Sequence, residues 1–162
     1  MIAMIIRPMR NHDSTDVLRI YGEGIATGNA TFESDVPSWE VWDAGHLEDH
    51  RFVCETDSIV GWVAVSAVSG RCVYAGVVEA SVYVAATARN LGVGLRLLTK
   101  LVESTEASGI WTIQAGVFPE NRASIHIHKK AGFRTVGIHE KLGQMNGIWR
   151  DVVLLERRSP LI

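Results

Sequence analysis

Apolar positions along the chain repeat at two spacings, that of a helix and that of a strand, and the switches between them mark the elements. Met4 to Arg7 reads as a first strand. Val17, Leu18, Tyr21 and Ile25 then recur at helical spacing behind Asp13-Ser14, which predicts a capped helix stopping at Gly28-Asn29. After the irregular stretch Ala30 to Val36, Ser38 behind Pro37 predicts the cap of a short helix with Trp39 and Trp42 on one side. Arg51 to Glu55 and Ile59 to Val68 read as a hairpin turned at Asp57-Ser58.

The second half is patterned more sharply. Val77 to Val84 is a valine-rich strand, and Arg89-Asn90-Leu91-Gly92-Val93-Gly94 leads from it into a helix with Leu95, Leu98, Leu101 and Val102 on one face. Ser108-Gly109 stops that helix, and Ile110 to Val117 is the next strand. Asn121 or Arg122 opens a further helix to Ala131, Gly132 ends it, and strands follow near Phe133 to Ile138 and Trp149 to Glu156. No linker, repeat or low-complexity block interrupts this order, so residues 1–162 read as one α/β domain.

Composition narrows the function classes. A hydrophobic fraction of 47% with 21% charged residues fits a chain that buries a core. The net charge of -2 and the lack of any Lys/Arg run argue against nucleic-acid partners. Cys54 and Cys72, far apart and outside any C-x-x-C, suggest neither a zinc site nor a disulfide and read as reduced core thiols. The apolar run Met1 to Ile6 is too short for a signal-peptide core, and Arg7 follows it instead of preceding it. No stretch approaches the roughly 20 apolar residues of a membrane span, so a cytoplasmic address is expected.

The chemistry concentrates where the valine-rich strand meets the glycine loop. Backbone N–H groups and the helix dipole attract phosphate at such a junction, and glycines allow close approach. No Gly-Lys-Ser/Thr follows, which excludes a Walker A loop, and the third glycine of a dinucleotide fingerprint is missing. Glu79 lies among Val77, Val78, Val82 and Val84, where a carboxylate is costly unless solvated, paired or functional. Phe32 stands with Thr31 and Glu33 in an irregular segment, where side chains more often line a site than fill a core. His126 and His128, two apart on a helix, face different sides and form no metal pair. Arg71 and Arg150 read as surface cations unless an anionic ligand needs a bidentate partner.

Arg89-Asn90-Leu91-Gly92-Val93-Gly94 after a strand, with Asn121-Arg122-Ala123-Ser124 and Ala131-Gly132-Phe133, resembles the paired motifs of the GNAT superfamily of N-acetyltransferases. Glu79-Ala80-Ser81-Val82-Tyr83-Val84, Thr31-Phe32-Glu33 and Trp149-Arg150-Asp151-Val152 are similar to its phosphinothricin and methionine sulfoximine acetyltransferase branch, over essentially the whole chain. The resemblance implies a mixed central sheet of six or seven strands, helices on both faces and a splayed central strand pair. It implies acetyl-CoA as co-substrate and no metal. Its pyrophosphate cradle carries over to Arg89, Asn90, Leu91, Gly92, Val93, Gly94 and Leu95, its pantetheine strand to Val82, Tyr83 and Val84, and further cofactor contacts to Asn121, Ser124 and Lys130.

Glu79 takes the base role by the same resemblance, since amines near pKa ~8 to 10 arrive mostly protonated. His128 stands where many relatives carry the acid that protonates the leaving thiolate, and an imidazole pKa near ~6.5 suits that task. Acceptor contacts fall to Phe32, Glu33, Arg71, Tyr74 and Ser81. The acceptor implied is the α-amine of a small glutamate-like amino acid analogue, and the branch implies a homodimer. Two rivals are an enzyme of the same fold acting on protein N-termini or polyamines, and a non-catalytic acyl-CoA-binding domain.

Overall fold

In the computed structural model, which describes residues 3–162, the predicted apolar runs become seven strands of one sheet. Met1 and Ile2, the start of the apolar N-terminal run, lie outside the described residues. The strands are Ile5–Pro8 (β1), Phe52–Glu55 (β2), Ile59–Ala67 (β3), Val77–Val84 (β4), Thr112–Val117 (β5), Arg134–Met145 (β6) and Ile148–Arg158 (β7). Their spatial order is β1-β2-β3-β4-β5-β7-β6. Every neighbouring pair is antiparallel except β4 and β5, which run parallel, so the sheet is mixed as expected.

Helices Ser14–Ala26 (α1), Trp39–Ala44 (α2), Val93–Ala107 (α3) and Arg122–Lys130 (α4) cover both faces, and two adjacent residues of β3 show how. Successive strand residues point to opposite faces. Trp62, fully buried, meets Tyr21 of α1 and Trp42 of α2 on one face. Gly61 faces the other, so close to α3 that a Cβ there would lie 2.8 Å from Val93 and 3.0 Å from Leu97. A side chain at that position would push the helix off the sheet. The core therefore has two halves, an aromatic one under α1 and α2 and an aliphatic one under α3, where Leu97, Leu98 and Leu101 are fully buried.

Four local expectations need correction. Asp13 does not cap α1: its carboxylate accepts from Arg7 Nη1 and Nη2 at 2.8 and 2.9 Å and from the Arg10 N–H at 2.8 Å. That arginine pair holds the Asp13 carboxyl below its ordinary pKa and ties the β1 turn to α1. Cys72 is exposed, and only Cys54 is a core thiol. Trp149 lies mostly in solvent, because β7 reaches beyond the core into the hairpin tip. Strands β6 and β7 are longer than the apolar pattern indicates, since most of β6 is solvent-exposed and carries no period. Asn146 (φ 52°) and Gly147 (φ 78°) make the turn between them, a pair suited to two successive left-handed residues.

Candidate active site

Strands β4 and β5 pair only through Val77, Val78 and Glu79 against Thr112, Ile113 and Gln114. Beyond that point β4 stays with β3 as far as Val84, while β5 stays with β7 as far as Val117. Each strand follows its own partner, so the sheet opens into a fork with Glu79 at its apex. The open fork is a cleft of about 820 Å³, walled by β4, β5, the N-terminal turns of α3 and α4, and the segment after α1.

The free backbone on the β4 side can be assigned from the ladder. Val68 N–H donates to Val77 O at 3.4 Å and Ala85 N–H to Val60 O at 2.8 Å. In an antiparallel pair the backbone groups alternate in direction, so Val77, Glu79, Ser81 and Tyr83 address β3. Ala80, Val82 and Val84 therefore turn their N–H and C=O groups into the fork, where no β5 partner takes them. An extended amide-bearing chain laid in the fork would find the donors and acceptors of a strand edge.

At the wide end of the fork, Arg89 to Gly92 leads into α3. Asn90 (φ 64°) and the N-cap Gly92 (φ 83°) are both left-handed, which asparagine tolerates and glycine favours. This path aims the first turn of α3 at the cleft, and the N–H groups of Val93, Gly94 and Leu95 have no carbonyl one turn back within the helix. Dipole and free donors together would favour an anion at this point. Gly94 serves packing: a Cβ there would lie 2.7 Å from Ile127 Cδ1, so its absence lets α4 close against α3. Asn121 caps α4, its Oδ1 accepting from Ser124 N–H at 3.2 Å.

Glu79 keeps contact with solvent through the cleft, yet burial among its neighbours raises its carboxyl above the ordinary 4.5. On the same face the Tyr83 ring packs against both Trp62 and Tyr21, with centroids 4.9 Å from each, and those two rings lie 6.0 Å apart. Burial raises both phenols, Tyr83 far above its usual value, and Thr31 and Glu33 lie close enough to act on them. A carboxylate whose pKa is raised by burial holds a proton more readily than an ordinary one, which suits a proton acceptor.

His128 lines the cleft from α4. It is 2% exposed, and burial lowers its pKa below 6.5, so the ring is neutral at pH 7. Nδ1 lies 2.7 Å from the Ser124 carbonyl, which can only accept, so Nδ1 carries the proton and Nε2 is an acceptor. In that state the ring packs α4 against Phe133, with Nε2 left as an acceptor.

Of the expected site residues, the cleft gathers Phe32, Glu79, Ser81, Val82, Tyr83, Val84, Arg89, Asn90, Gly92, Val93, Gly94, Leu95, Asn121, Ser124 and His128. It does not gather five others. Leu91 points to solvent at the top of its turn. Lys130 lies at the far end of α4, about 13 Å along a nine-residue helix from its N-terminus. Glu33 is exposed just beyond the wall that Phe32 completes. Arg71 and Tyr74 sit on the exposed loop before β4, below the apex, with the guanidinium 5.4 Å from the ring it covers. Sequence reading missed Asn29, Phe118, Glu120, Leu142 and Val152, which complete the walls. Only long-range packing brings them in, so no local spacing marks them. Among the described residues no group of three or more His, Cys, Asp or Glu gathers as a metal site, and no helix is long and apolar enough to cross a membrane.

Comparison with known proteins agrees with this geometry. Residues 6–154 match the family described as an acetyltransferase (GNAT) domain. A phosphinothricin N-acetyltransferase of Streptomyces coelicolor is 30% identical over 161 residues, covering 94% of each chain. An L-methionine sulfoximine/L-methionine sulfone acetyltransferase of Pseudomonas paraeruginosa is 27% identical over 151 residues, covering 89% of this chain and 88% of that one. The crystal structure of a phosphinothricin acetyltransferase from Sinorhizobium meliloti in complex with acetyl-CoA superimposes with a TM-score of 0.85 at 26% identity, over 96% of this chain and 88% of that one.

Proposed function

The chain belongs to the GNAT acetyltransferase family and is an acetyl-CoA-dependent N-acetyltransferase; from that premise we propose that, as a single catalytic domain, it acetylates the α-amine of a small amino acid analogue. The observation that carries the proposal is Glu79 at the apex of the fork, a half-solvated carboxylate with a raised pKa where two strand edges part, in the same cleft that ends on the N-terminal turn of α3. Acetyl-CoA supplies the activated acyl group. Glu79 takes the ammonium proton, directly or through a water. The free N–H groups of Val82 and Val84 bind amide and carbonyl oxygens along β4, and the first turn of α3 holds the pyrophosphate. Asn121 and Ser124 border the cofactor side. The buried neutral ring of His128 supports the wall in this scheme, leaving protonation of the thiolate to solvent.

Relatives named for phosphinothricin and methionine sulfoximine support an acceptor that carries an anionic or strongly polar head beside its amine. Thr31, Phe32 and Ser81 line the same cleft as Glu79 and suit a small ligand better than a peptide. The test is a panel of acceptors with acetyl-CoA, read by release of free thiol. Phosphinothricin, methionine sulfoximine or methionine sulfone is expected to exceed spermidine and an N-terminal peptide in kcat/KM by at least about tenfold. Arg71→Ala tests the anionic contact, with a KM rise for the acidic acceptor expected if the loop reaches it. A polyamine or peptide as best acceptor would remove the specificity and leave the reaction class.

A homodimer belongs to the same reading. Val136, Ile138, Ile148 and Trp149 are exposed on the β6–β7 hairpin at the sheet edge, and an apolar edge invites a partner. Sedimentation at micromolar concentration is expected to return the mass of two chains. The mass of one chain would remove the dimer without touching the chemistry.

A further inference from the structure

The wall of the cleft formed by residues 27–32 belongs to no helix or strand, yet one side chain from β7 pins it. Arg150 is largely buried, and its guanidinium lies with its carbon 4.0 Å from the centre of the Phe118 ring. Nη1 donates to Gly28 O at 3.0 Å and contacts Met145 Sδ at 3.2 Å. Nη2 donates to Asn29 Oδ1 at 2.8 Å and to Glu120 Oε2 at 3.3 Å. The wall is also tied to the opposite side, since Asn121 Nδ2 donates to Asn29 O at 3.3 Å while Asn121 Oδ1 caps α4. Phe32 meets the Phe118 edge at 4.9 Å and packs on Gly143 of β6, where a Cβ would lie 3.0 Å from its ring.

From this geometry we propose that Arg150 is a positioning residue for acetyl transfer, which docks the 27–32 wall onto the β5–α4 corner and so shapes the acceptor end of the cleft. It acts through Asn29 and Phe118 without touching the reacting atoms. A planar fork is required, because two acceptors on adjacent residues and a carboxylate must be met from one plane while the face stacks on Phe118. A lysine offers a single point charge and no face. The cofactor side of the cleft is built by α3, the β4 edge and the N-terminus of α4; Arg150 touches neither of the first two and reaches the third only through Asn29 and Asn121, so loss of the pin falls mainly on the acceptor. The proposal rests on the acetyltransferase reading of the cleft but not on which amine is the acceptor.

Two measurements on Arg150→Ala, Arg150→Lys and Asn29→Ala decide it. Hydrogen exchange of the amides in residues 28–33 needs no acceptor. It is expected to speed up at least about tenfold in Arg150→Ala while amides of β3 keep the parent rate. With the best acceptor found for the parent, kcat/KM for the acceptor is expected to fall by roughly 10 to 100-fold, while KM for acetyl-CoA stays within about threefold. Arg150→Lys should recover little. Asn29→Ala is the milder variant, and added to Arg150→Ala it should cost less than about twofold more, because the two act as one unit. Unchanged exchange in residues 28–33, or a loss that falls equally on acetyl-CoA, would overturn the proposal. Should the parent acetylate no amino acid analogue, the acceptor assignment fails, and the exchange experiment still decides this one.

Discussion

Glu79→Gln is expected to lower turnover at neutral pH by about 100-fold or more, the usual scale for a lost general base. The substitution keeps shape and hydrogen-bonding capacity and removes only the ability to take a proton. Acceptor amines are mostly protonated at pH 7, so few attack without that help. Acetyl-CoA affinity should hardly change, since the anion site lies at the other end of the fork. The pH profile carries a second signature. Burial raises the Glu79 pKa above 4.5, so the parent's kcat/KM should fall on acidification through a value above the ordinary carboxylate range. The variant lacks that limb, and its deficit should shrink as alkaline solution deprotonates the amine. Stability moves the other way. A carboxyl whose folded pKa is raised contributes most below its unfolded pKa and loses that contribution as pH rises through the folded value. At pH 7 the parent carries the cost of the ionised form, so Glu79→Gln should melt no lower than the parent. Thiol-release rates from about pH 6 to 10 and a thermal melt read all of this. A variant keeping most of the neutral-pH turnover would assign Glu79 a structural part.

Gly92→Val is expected to weaken acetyl-CoA binding by about 100-fold, measured by calorimetry. A β-branched residue at φ 83° is strained by roughly 1–3 kcal/mol, and the loop relieves that strain by leaving the path that aims α3 at the cleft. Gly92→Asn separates conformation from bulk, because asparagine accepts left-handed backbone while still adding a side chain. Retained affinity in Gly92→Asn with loss in Gly92→Val would mean that the backbone path is what matters. Loss in both would mean that the space above Gly92, where a Cβ meets nothing of the protein, must stay clear for the ligand. Gly94 is the poorer test, since its Cβ would strike Ile127 and disturb the α3–α4 packing first. Unchanged affinity in Gly92→Val would remove the anion-site assignment.

The elements most legible in the sequence are those whose burial is one-sided or complete. Strand β4 runs over the predicted Val77–Val84, because every residue but the exposed Glu79 is wholly or partly buried by the sheet, the helices or the cleft and hydrophobic selection acts along its length. Ser38 and Asn121 cap their helices as read, since a cap depends on residues three positions away. Asp13 has the same composition signal and fails, because Arg7 on another element competes for its carboxylate. The β6–β7 hairpin was half-legible: β6 is too exposed to carry a period, although Asn146-Gly147 was a turn signal available to be read.

The α/β class, the glycine turn at the head of α3 and the placing of Glu79 on the strand before it can all be read from the order of residues alone. These follow from backbone propensities and spacings that act over a few residues. Which of the candidate side chains share one cleft depends instead on long-range packing. The parting of β4 from β5 depends on β3 and β7 holding them on either side, and that parting alone puts Glu79 at the apex. The same distant pairing turns Arg71, Tyr74 and Lys130 away from the cleft, buries His128 in its neutral form, and brings Arg150 across 121 positions of chain to Asn29. A charge or a hydrogen-bonding group declares its type in sequence, but its pKa and partner are set by what the fold packs against it.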